Sequence, residues 1–169
     1  MPKKLAIITS RGEERPLLRA PEGSTEFEAF RVELRIPGFA RNPYDRFLVD
    51  LAHVDAGERA VAEGADAIFL DTFADYGIAP LRHAVHIPVI GAGEAGIVTA
   101  SAGGTRDFAI VTVWPQLMHF LYEERLGNVP GGERCNRVEH VLPEIELAKA
   151  GTDAFIKNRM VRHEEPVIE

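Results

Sequence analysis

The sequence has one cysteine and one tryptophan in 169 residues, and it has neither a run of basic residues nor a long apolar segment. A single cysteine excludes an internal disulfide. No segment approaches the ~20 apolar residues that a membrane-spanning helix needs. The net charge of -7 comes from acidic residues spread along the chain, which do not suit a row of phosphates. We therefore expect neither a nucleic-acid partner nor a membrane partner.

The start of the chain has two lysines followed by a short apolar stretch, as a signal peptide does. That stretch has about half the usual length, and Arg11, Glu13 and Glu14 follow it at once. We interpret Leu5 to Thr9 as a first strand, and the expected location is cytoplasmic. With 46% hydrophobic and 27% charged residues, the composition is typical of an ordinary globular protein.

Two patterns in the first third of the chain predict a strand and a helix. Apolar and charged residues alternate from Phe30 to Ile36, which predicts a half-buried strand that Pro37-Gly38 closes. Asn42 and Pro43 predict the start of a helix, and Gly64 predicts its end. Between them, apolar residues recur at helical spacing, namely Phe47, Leu48, Leu51, Val54 and Val61.

Two short apolar strands follow, from Ala67 to Asp71 and from Ile87 to Gly91, and each opens into a loop before a helix. In an open α/β sheet, ligands bind at the carboxyl ends of the strands. The loops after Asp71 and after Gly91 are therefore the predicted walls of one crevice. Asp75 precedes a short predicted helix, and we expect it to be an N-cap of that helix rather than a catalytic residue.

The strand and helix patterns repeat in the second half of the chain. Phe108 to Val113 predicts a strand, Trp114-Pro115 starts a helix that ends at Gly127-Asn128, and a further strand starts near Arg137. This alternation predicts a mostly parallel α/β sheet with helices on both faces. The flexible linker at 101–105 predicts a boundary, with residues 1–104 forming an amino-terminal α/β lobe and 105–169 beginning a second lobe that is incomplete.

The segment from Asp71 to Gly77, the motif Ile-Pro-Val-Ile-Gly that ends at Gly91, and Gly-Glu-Ala from Gly93 together resemble the aspartate/glutamate/hydantoin racemase superfamily. In that family a strand ends in Gly-Cys and continues Phe-Gly-Asp-Pro-Gly, and the cysteine is one of two catalytic thiols. Here Asp71 stands at the glycine, Thr72 at the cysteine and Tyr76 at the proline. The resemblance implies two similar lobes with mostly parallel sheets flanked by helices, and a site in the cleft between them.

The resemblance further implies an isomerase that acts without a cofactor on a small amino acid, carboxylate or hydantoin-like substrate. Thr72 occupies the catalytic position, but its hydroxyl is too weak an acid to act as a base near pH 7. It can instead hydrogen-bond a substrate oxygen, or it can be a local cap or packing residue. Two alternatives stay open, namely a decarboxylase-type relative with a single acid/base and a ligand-binding protein that lost both thiols.

Other candidate substrate contacts lie at strand ends. Asp71 could be a base or bind an ammonium group, and Arg11 could bind a carboxylate or be a solvated turn residue. Where the family has a pair of hydroxyls, one survives as Thr112, while Trp114 is a ligand contact or a packing residue. The full set of substrate-binding candidates is Ser10, Arg11, Asp71, Phe73, Thr112, Val113 and Trp114.

Three other features of the sequence do not support a site. The Gly-x-Gly-x-x-Gly pattern from Gly91 to Gly96 matches a dinucleotide motif, but Glu94 would place a negative charge at the phosphate. We interpret it as a tight turn with Glu94 at a helix amino terminus. Cys135 is expected at the amino-terminal edge of the sheet, away from the crevice. The six histidines show no metal-ligand spacing, so no metal is implied.

Acidic residues and Pro166 near the end of the chain predict the start of another helix. The resemblance implies a further strand with the second catalytic cysteine beyond that helix, so we expect residues 1–169 to be part of a longer product. The alternative is a protein without that half of the machinery. A homo-oligomer is compatible with the sequence, but no exposed apolar stripe in it identifies an interface.

Overall fold

The computed structural model describes residues 2–9, 27–36, 40, 42–102, 107–112 and 119–140, and the structural statements below concern these residues. Strands and helices alternate along them. The strands are β1 (Lys3–Thr9), β2 (Phe27–Glu33), β3 (Ala67–Leu70), β4 (Val89–Gly91), β5 (Phe108–Thr112) and β6 (Cys135–His140). The helices are α1 (Pro43–Ala62), α2 (Ile78–Ala84), α3 (Ala92–Ser101) and α4 (His119–Asn128), and a 3₁₀ turn covers Gly132–Arg134.

The strands form two sheets, and every strand pair in them is parallel. One sheet has the order β2-β1-β3-β4, and the other pairs β5 with β6. The predicted α/β class with mostly parallel sheets flanked by helices is confirmed. The strands before and after the 101–105 linker belong to different sheets, while the lobe boundaries themselves stay a prediction. Because the strands of each sheet are parallel, they end at one edge, which we call the carboxyl edge.

Most predicted elements are present with shifted ends. The strand predicted from Phe30 to Ile36 runs instead over Phe27–Glu33, and the strand predicted from Ile87 begins at Val89. The pairing of β2 with β1 sets the first of these shifts, since each residue of β1 has a partner in Phe27–Glu33. The helix predicted from Trp114 ends at Asn128 as expected, but its predicted start lies outside the described residues.

Helix α1 begins and ends where the sequence predicts. The side chain of Asn42 accepts a hydrogen bond from the backbone N–H of Asp45 at 2.9 Å, and Pro43 occupies the first helical position, where no N–H is needed. Gly64, with φ of +86°, adopts the left-handed conformation just past the helix end. Capping alone therefore locates both ends of this helix.

The face that α1 buries consists largely of small residues, including Ala52, Ala56 and Ala60. At Gly57 an added Cβ would lie 2.4 Å from Cδ1 of Leu81, so α1 and α2 approach more closely than a side chain would allow. The larger apolar residues point outwards, with exposed fractions of 70% at Tyr44, 59% at Phe47, 45% at Leu48, 51% at Leu51 and 39% at Val61. Close packing therefore selects the small residues for the inner face and leaves most of the large ones on the outer face.

His53 is the buried titratable residue of this inner face, with 0% of its surface exposed. Its Nδ1 lies 2.8 Å from the carbonyl oxygen of Val49, so Nδ1 carries the proton and donates it. Nε2 is buried and has no hydrogen-bond partner among the described residues. Burial therefore lowers the pKa of His53, and the backbone bond to Val49 only partly offsets this.

We expect the free energy of unfolding to fall as the pH decreases below about 6.5, by at most about 1.4 kcal/mol per pH unit from this residue. The pKa of His53 is lower in the folded protein than in the unfolded chain, so its contribution is complete above the unfolded pKa and is lost towards the folded one. Urea unfolding of the protein and of His53→Gln between pH 5 and 8 measures the effect. The variant is expected to lose this pH dependence, whatever its stability at pH 8.

The control is His83→Gln, at an exposed position, which should keep the pH dependence of the free energy of unfolding. An unchanged pH dependence in His53→Gln would contradict the prediction.

Candidate functional site

The candidate site lies at the carboxyl edge of the four-stranded sheet, where residues 71–77 follow β3. We call these residues the β3 loop. The backbone N–H of Asp71 still donates to the carbonyl oxygen of Ile8, at 2.9 Å, so the loop starts beside the end of β1. Thr9, the last residue of β1, is buried at the same edge. The β3 loop therefore starts at the predicted ligand-binding edge.

Besides the hydroxyl of Tyr76, the loop has one further buried hydroxyl without a partner among the described residues, that of Thr72. Its Oγ1 is buried and makes no hydrogen bond within the described part of the chain. A buried hydroxyl without a partner costs about 1–3 kcal/mol, so such groups in folded proteins call for an explanation. The local capping bond that we considered for Thr72 is not formed among these residues. An oxygen atom of a ligand would satisfy this hydroxyl.

Asp75 fastens the loop to the neighbouring helix. Its side chain is fully buried, and its two carboxylate oxygens accept hydrogen bonds from the backbone N–H groups of Gly93 at 2.9 Å and Glu94 at 2.8 Å, at the start of α3. The Nη1 of Arg125 from α4 lies 3.7 Å from Oδ2. Burial raises the pKa of Asp75, while the two N–H donors and Arg125 oppose that shift.

The expectation that Asp75 caps α2 is wrong. The N-cap position of α2 is occupied by Gly77, with φ of +68°, and no side chain caps it. Asp75 itself has a φ of +47°, which is unusual for a residue other than glycine and which aspartate tolerates better than most residues. This backbone conformation accompanies a carboxylate that caps α3 instead, 18 residues further along the chain.

The close contact between the β3 loop and the start of α3 explains the glycine pattern after β4. An added Cβ at Gly91 would lie 2.3 Å from Cγ of Asp75, and one at Gly93 would lie 1.9 Å from the carbonyl oxygen of Phe73. The space that a phosphate occupies in a dinucleotide-binding turn is thus filled by the β3 loop of this protein. Glu94 lies in the first turn of α3, as predicted, and pairs with Arg82 at 2.7 Å.

Tyr122 of α4 connects the β3 loop with the carboxyl end of β5. Its ring lies 5.3 Å from that of Phe73, measured between centroids, and its hydroxyl is hydrogen-bonded to Oγ1 of Thr112. Burial raises the pKa of Tyr122, with the hydrogen bond to Thr112 opposing the shift, so the phenol stays protonated near pH 7. The structure therefore brings Thr112 to the same region as Phe73, although Phe73 follows a strand of the four-stranded sheet and Thr112 ends a strand of the other sheet.

A second set of charges holds the other side of the β3 loop. Arg46 bonds Asp50 at 2.7 Å and Glu124 at 3.2 Å, which joins α1 to α4. Oδ1 of Asp50 also accepts the backbone N–H of Gly77 at 2.8 Å. The guanidinium of Arg46 lies over the ring of Tyr76, 5.3 Å from its centroid, and burial raises the pKa of Tyr76 to about 12. The loop is thus fixed by α1, α3 and α4 together.

The remaining predicted residues fall in two groups. Ser10, Arg11, Val113 and Trp114 lie outside the described residues. Cys135 begins β6 and is paired with Phe108 at the start of β5, so it lies at the edge opposite to Thr112, as predicted. Its thiol donates to the carbonyl oxygen of Arg137 at 3.3 Å.

Three further features of the described residues concern metal-binding clusters, membrane-spanning helices and cavities. No group of three or more of their His, Cys, Asp or Glu side chains could hold a metal ion. No helix among them is long and apolar enough to cross a membrane. A shallow depression of about 260 Å³ lies between Lys3, Phe27 and Asp66, at the amino-terminal edge of the sheet. It is remote from the β3 loop, and we assign it no role.

The fold and the site define a parallel α/β protein with its candidate site at the carboxyl edge. The chain belongs to the Asp/Glu/hydantoin racemase family, whose model matches residues 17–169, and is thus a racemase-like protein of the isomerase type. An allantoin racemase from Klebsiella pneumoniae shares the fold, with a TM-score of 0.64 and 18% sequence identity over 95% of this chain and 68% of that chain. No curated protein matches the sequence significantly.

Proposed function

We propose that the protein is a cofactor-independent racemase or isomerase that moves a proton at the α-carbon of a small amino acid, carboxylate or hydantoin-type ring. Membership of the racemase family supports the reaction type. The substrate class is proposed from the family as a whole, whose name includes both amino acids and hydantoin.

The observation that carries this proposal is the buried hydroxyl of Thr72 at the carboxyl edge, which has no hydrogen-bond partner among the described residues. A hydroxyl there can donate to an oxygen of a bound carboxylate or carbonyl. Such a bond acidifies the α-proton if it strengthens as negative charge develops on that oxygen. Thr72 is therefore proposed as a substrate-binding residue, and another group must carry the proton.

Asp71, Phe73 and Thr112 are proposed as further substrate contacts. Asp71 precedes Thr72 at the end of β3, and Phe73 follows it. Thr112 ends β5 and is connected to Phe73 through Tyr122. A ligand between these residues would touch both sheets, which is the arrangement that a cleft between two lobes requires. Ser10, Arg11, Val113 and Trp114 stay candidate contacts on the sequence alone.

Exchange of the substrate α-proton in deuterated water tests the proposal. Purified protein is incubated with aspartate, glutamate, hydantoin and 5-substituted hydantoins, and loss of the α-proton signal is followed by NMR. We expect exchange above the uncatalysed rate for at least one compound. Polarimetry then measures the stereochemical outcome for that compound. Binding without exchange would support the ligand-binding alternative, and carbon dioxide release from a malonate-type acid would support the decarboxylase. Either result would overturn the proposed function.

Thr72→Val should lower kcat/KM for the exchanging substrate about 10–100-fold, since a hydrogen bond to a charged oxygen contributes about 1.5–3 kcal/mol. Thr72→Ser, which keeps the hydroxyl, should retain most of the activity. The matched control is Thr99→Val on α3, where the residue is exposed. Equal rates in Thr72→Val and the unmodified protein would show that the hydroxyl does not contact the substrate.

A further inference from the structure

Tyr122 of α4 has a phenol hydroxyl that the proposed function does not use. The residue is buried, with 6% of its surface exposed. Among the described residues its hydroxyl makes one hydrogen bond, to Oγ1 of Thr112. Thr112 is half-buried and ends β5, at the carboxyl edge of its sheet. The two hydroxyls therefore meet at the edge that carries a proposed substrate contact.

The direction of this hydrogen bond follows from the acceptors that are present. A buried phenol hydrogen without an acceptor is costly, and within the described part of the chain Oγ1 of Thr112 is the acceptor that the phenol of Tyr122 reaches. Tyr122 therefore donates and Thr112 accepts. A threonine hydroxyl has one hydrogen besides its lone pairs, so the hydrogen of Thr112 points away from Tyr122 and is available to a ligand.

The hydroxyl of Tyr122 is held in place from the β3 loop. The ring of Tyr122 packs against that of Phe73, at 5.3 Å between centroids and with 37° between the ring planes. Three residues further along α4, Arg125 faces Asp75 of the same loop. Residues at i and i+3 lie on one face of a helix, so this face of α4 is fastened to the loop at two points. Because a phenol oxygen lies on the ring axis, a flip of the ring does not move it.

We propose that Tyr122 is a positioning residue, which orients the hydroxyl of Thr112 as a hydrogen-bond donor to an oxygen atom of the substrate. Accepting one hydrogen bond polarises a hydroxyl and strengthens the bond that it donates. Together with Thr72, the site then offers hydroxyl hydrogens from both sides, which suit a carboxylate or a ring carbonyl. This inference rests on the proposed function for the place of the ligand, but it does not require proton transfer.

Binding of small probes tests the role of Tyr122 without turnover. Dissociation constants of hydantoin and glutamate are measured by ligand-observed NMR titration of the full chain. Tyr122→Phe keeps the ring that packs on Phe73 and removes the donor to Thr112. We expect it to raise the dissociation constant of a bound probe about 5–10-fold, as expected for the loss of one hydrogen bond. The matched control is Tyr44→Phe, at a tyrosine of α1 that is 70% exposed, and it should leave binding unchanged.

A double-variant cycle separates positioning from a purely structural role. Thr112→Val removes the donor itself and should weaken binding at least as much as Tyr122→Phe. Because Tyr122 acts through Thr112, the double variant should bind no more weakly than Thr112→Val alone. Thr112→Ser keeps the hydroxyl, so it should retain both the binding and its sensitivity to Tyr122→Phe. Additive losses in the double variant would show that Tyr122 acts only on the packing of the loop, and would overturn the proposal. Circular dichroism checks that each variant folds.

The positioning role and the proposed reaction fail in different ways. A protein that binds a probe, shows no exchange of the α-proton and binds more weakly as Tyr122→Phe would refute the reaction and support the role of Tyr122. Exchange with equal kcat and KM in Tyr122→Phe and the unmodified protein would support the reaction and overturn that role. Neither binding nor exchange with any probe would overturn both.

Discussion

Replacing Asp75 by alanine is expected to lower the free energy of unfolding by about 3–5 kcal/mol. The carboxylate has no exposed surface, and it satisfies the backbone N–H groups of Gly93 and Glu94 as well as facing Arg125. Its removal leaves the N–H groups of Gly93 and Glu94 without their acceptor. It also leaves the guanidinium of Arg125, whose side chain is 9% exposed, next to a cavity. Urea unfolding at pH 7, followed by circular dichroism, measures the loss.

Two further variants separate the contributions to that loss. Asp75→Asn keeps the left-handed backbone conformation and one oxygen acceptor, so it should cost less than Asp75→Ala. Asp75→Ala combined with Arg125→Met should be more stable than the sum of the two single losses predicts, because the second change removes the buried guanidinium that the first leaves with Glu124 as its remaining carboxylate partner. A loss below 1 kcal/mol in Asp75→Ala would show that the carboxylate does not hold the loop.

Gly93→Ala is expected to destabilise the protein by about 3 kcal/mol, at the upper end of the usual cost of overpacking. The new Cβ would lie 1.9 Å from the carbonyl oxygen of Phe73 and 3.0 Å from Oδ2 of Asp75. A backbone carbonyl cannot rotate away as a flexible side chain can, so the β3 loop or α3 has to shift. Because Thr72 belongs to this loop, the same variant should also weaken substrate binding.

Gly96→Ala is the matched control on the same helix. Among the described residues, and apart from its chain neighbours and its own helix backbone, nothing lies within 4 Å of the Cβ it would add. Alanine favours the helix over glycine by about 0.5–1 kcal/mol, so this variant should be slightly more stable than the original protein. A lower free energy of unfolding for Gly93→Ala and a higher one for Gly96→Ala would demonstrate that the cost at position 93 is steric. Equal effects at both positions would contradict the explanation.

The bounds of α1 could be predicted from sequence, but its buried face could not. Asn42, Pro43 and Gly64 act through contacts within one turn of themselves, so local rules are sufficient for the ends. Which face packs inward depends on how closely α2 and the sheet approach, and Gly57 against Leu81 sets that distance. A rule that counts large apolar residues would therefore select the outer face.

The site shows the same division between local and distant contacts. The location of Thr72 at a strand end followed from the strand pattern, because an apolar run and the loop after it are adjacent in sequence. The partners of Asp75 and of Tyr122 could not be inferred, since these residues meet groups on other helices and on the second sheet. The N-cap rule assigned Asp75 to the nearest helix, whereas the fold brings a more distant helix to it.

The position of Asp75 at the start of α3 has a consequence for how the protein responds to its surroundings. A carboxylate attached to the chain competes for the helix N–H groups at a high effective concentration, while phosphate and sulfate must compete from free solution. Small inorganic anions should therefore not occupy the start of α3 as long as Asp75 is present. The glycine turn that resembles a cofactor-binding motif is thus already occupied by the carboxylate of Asp75.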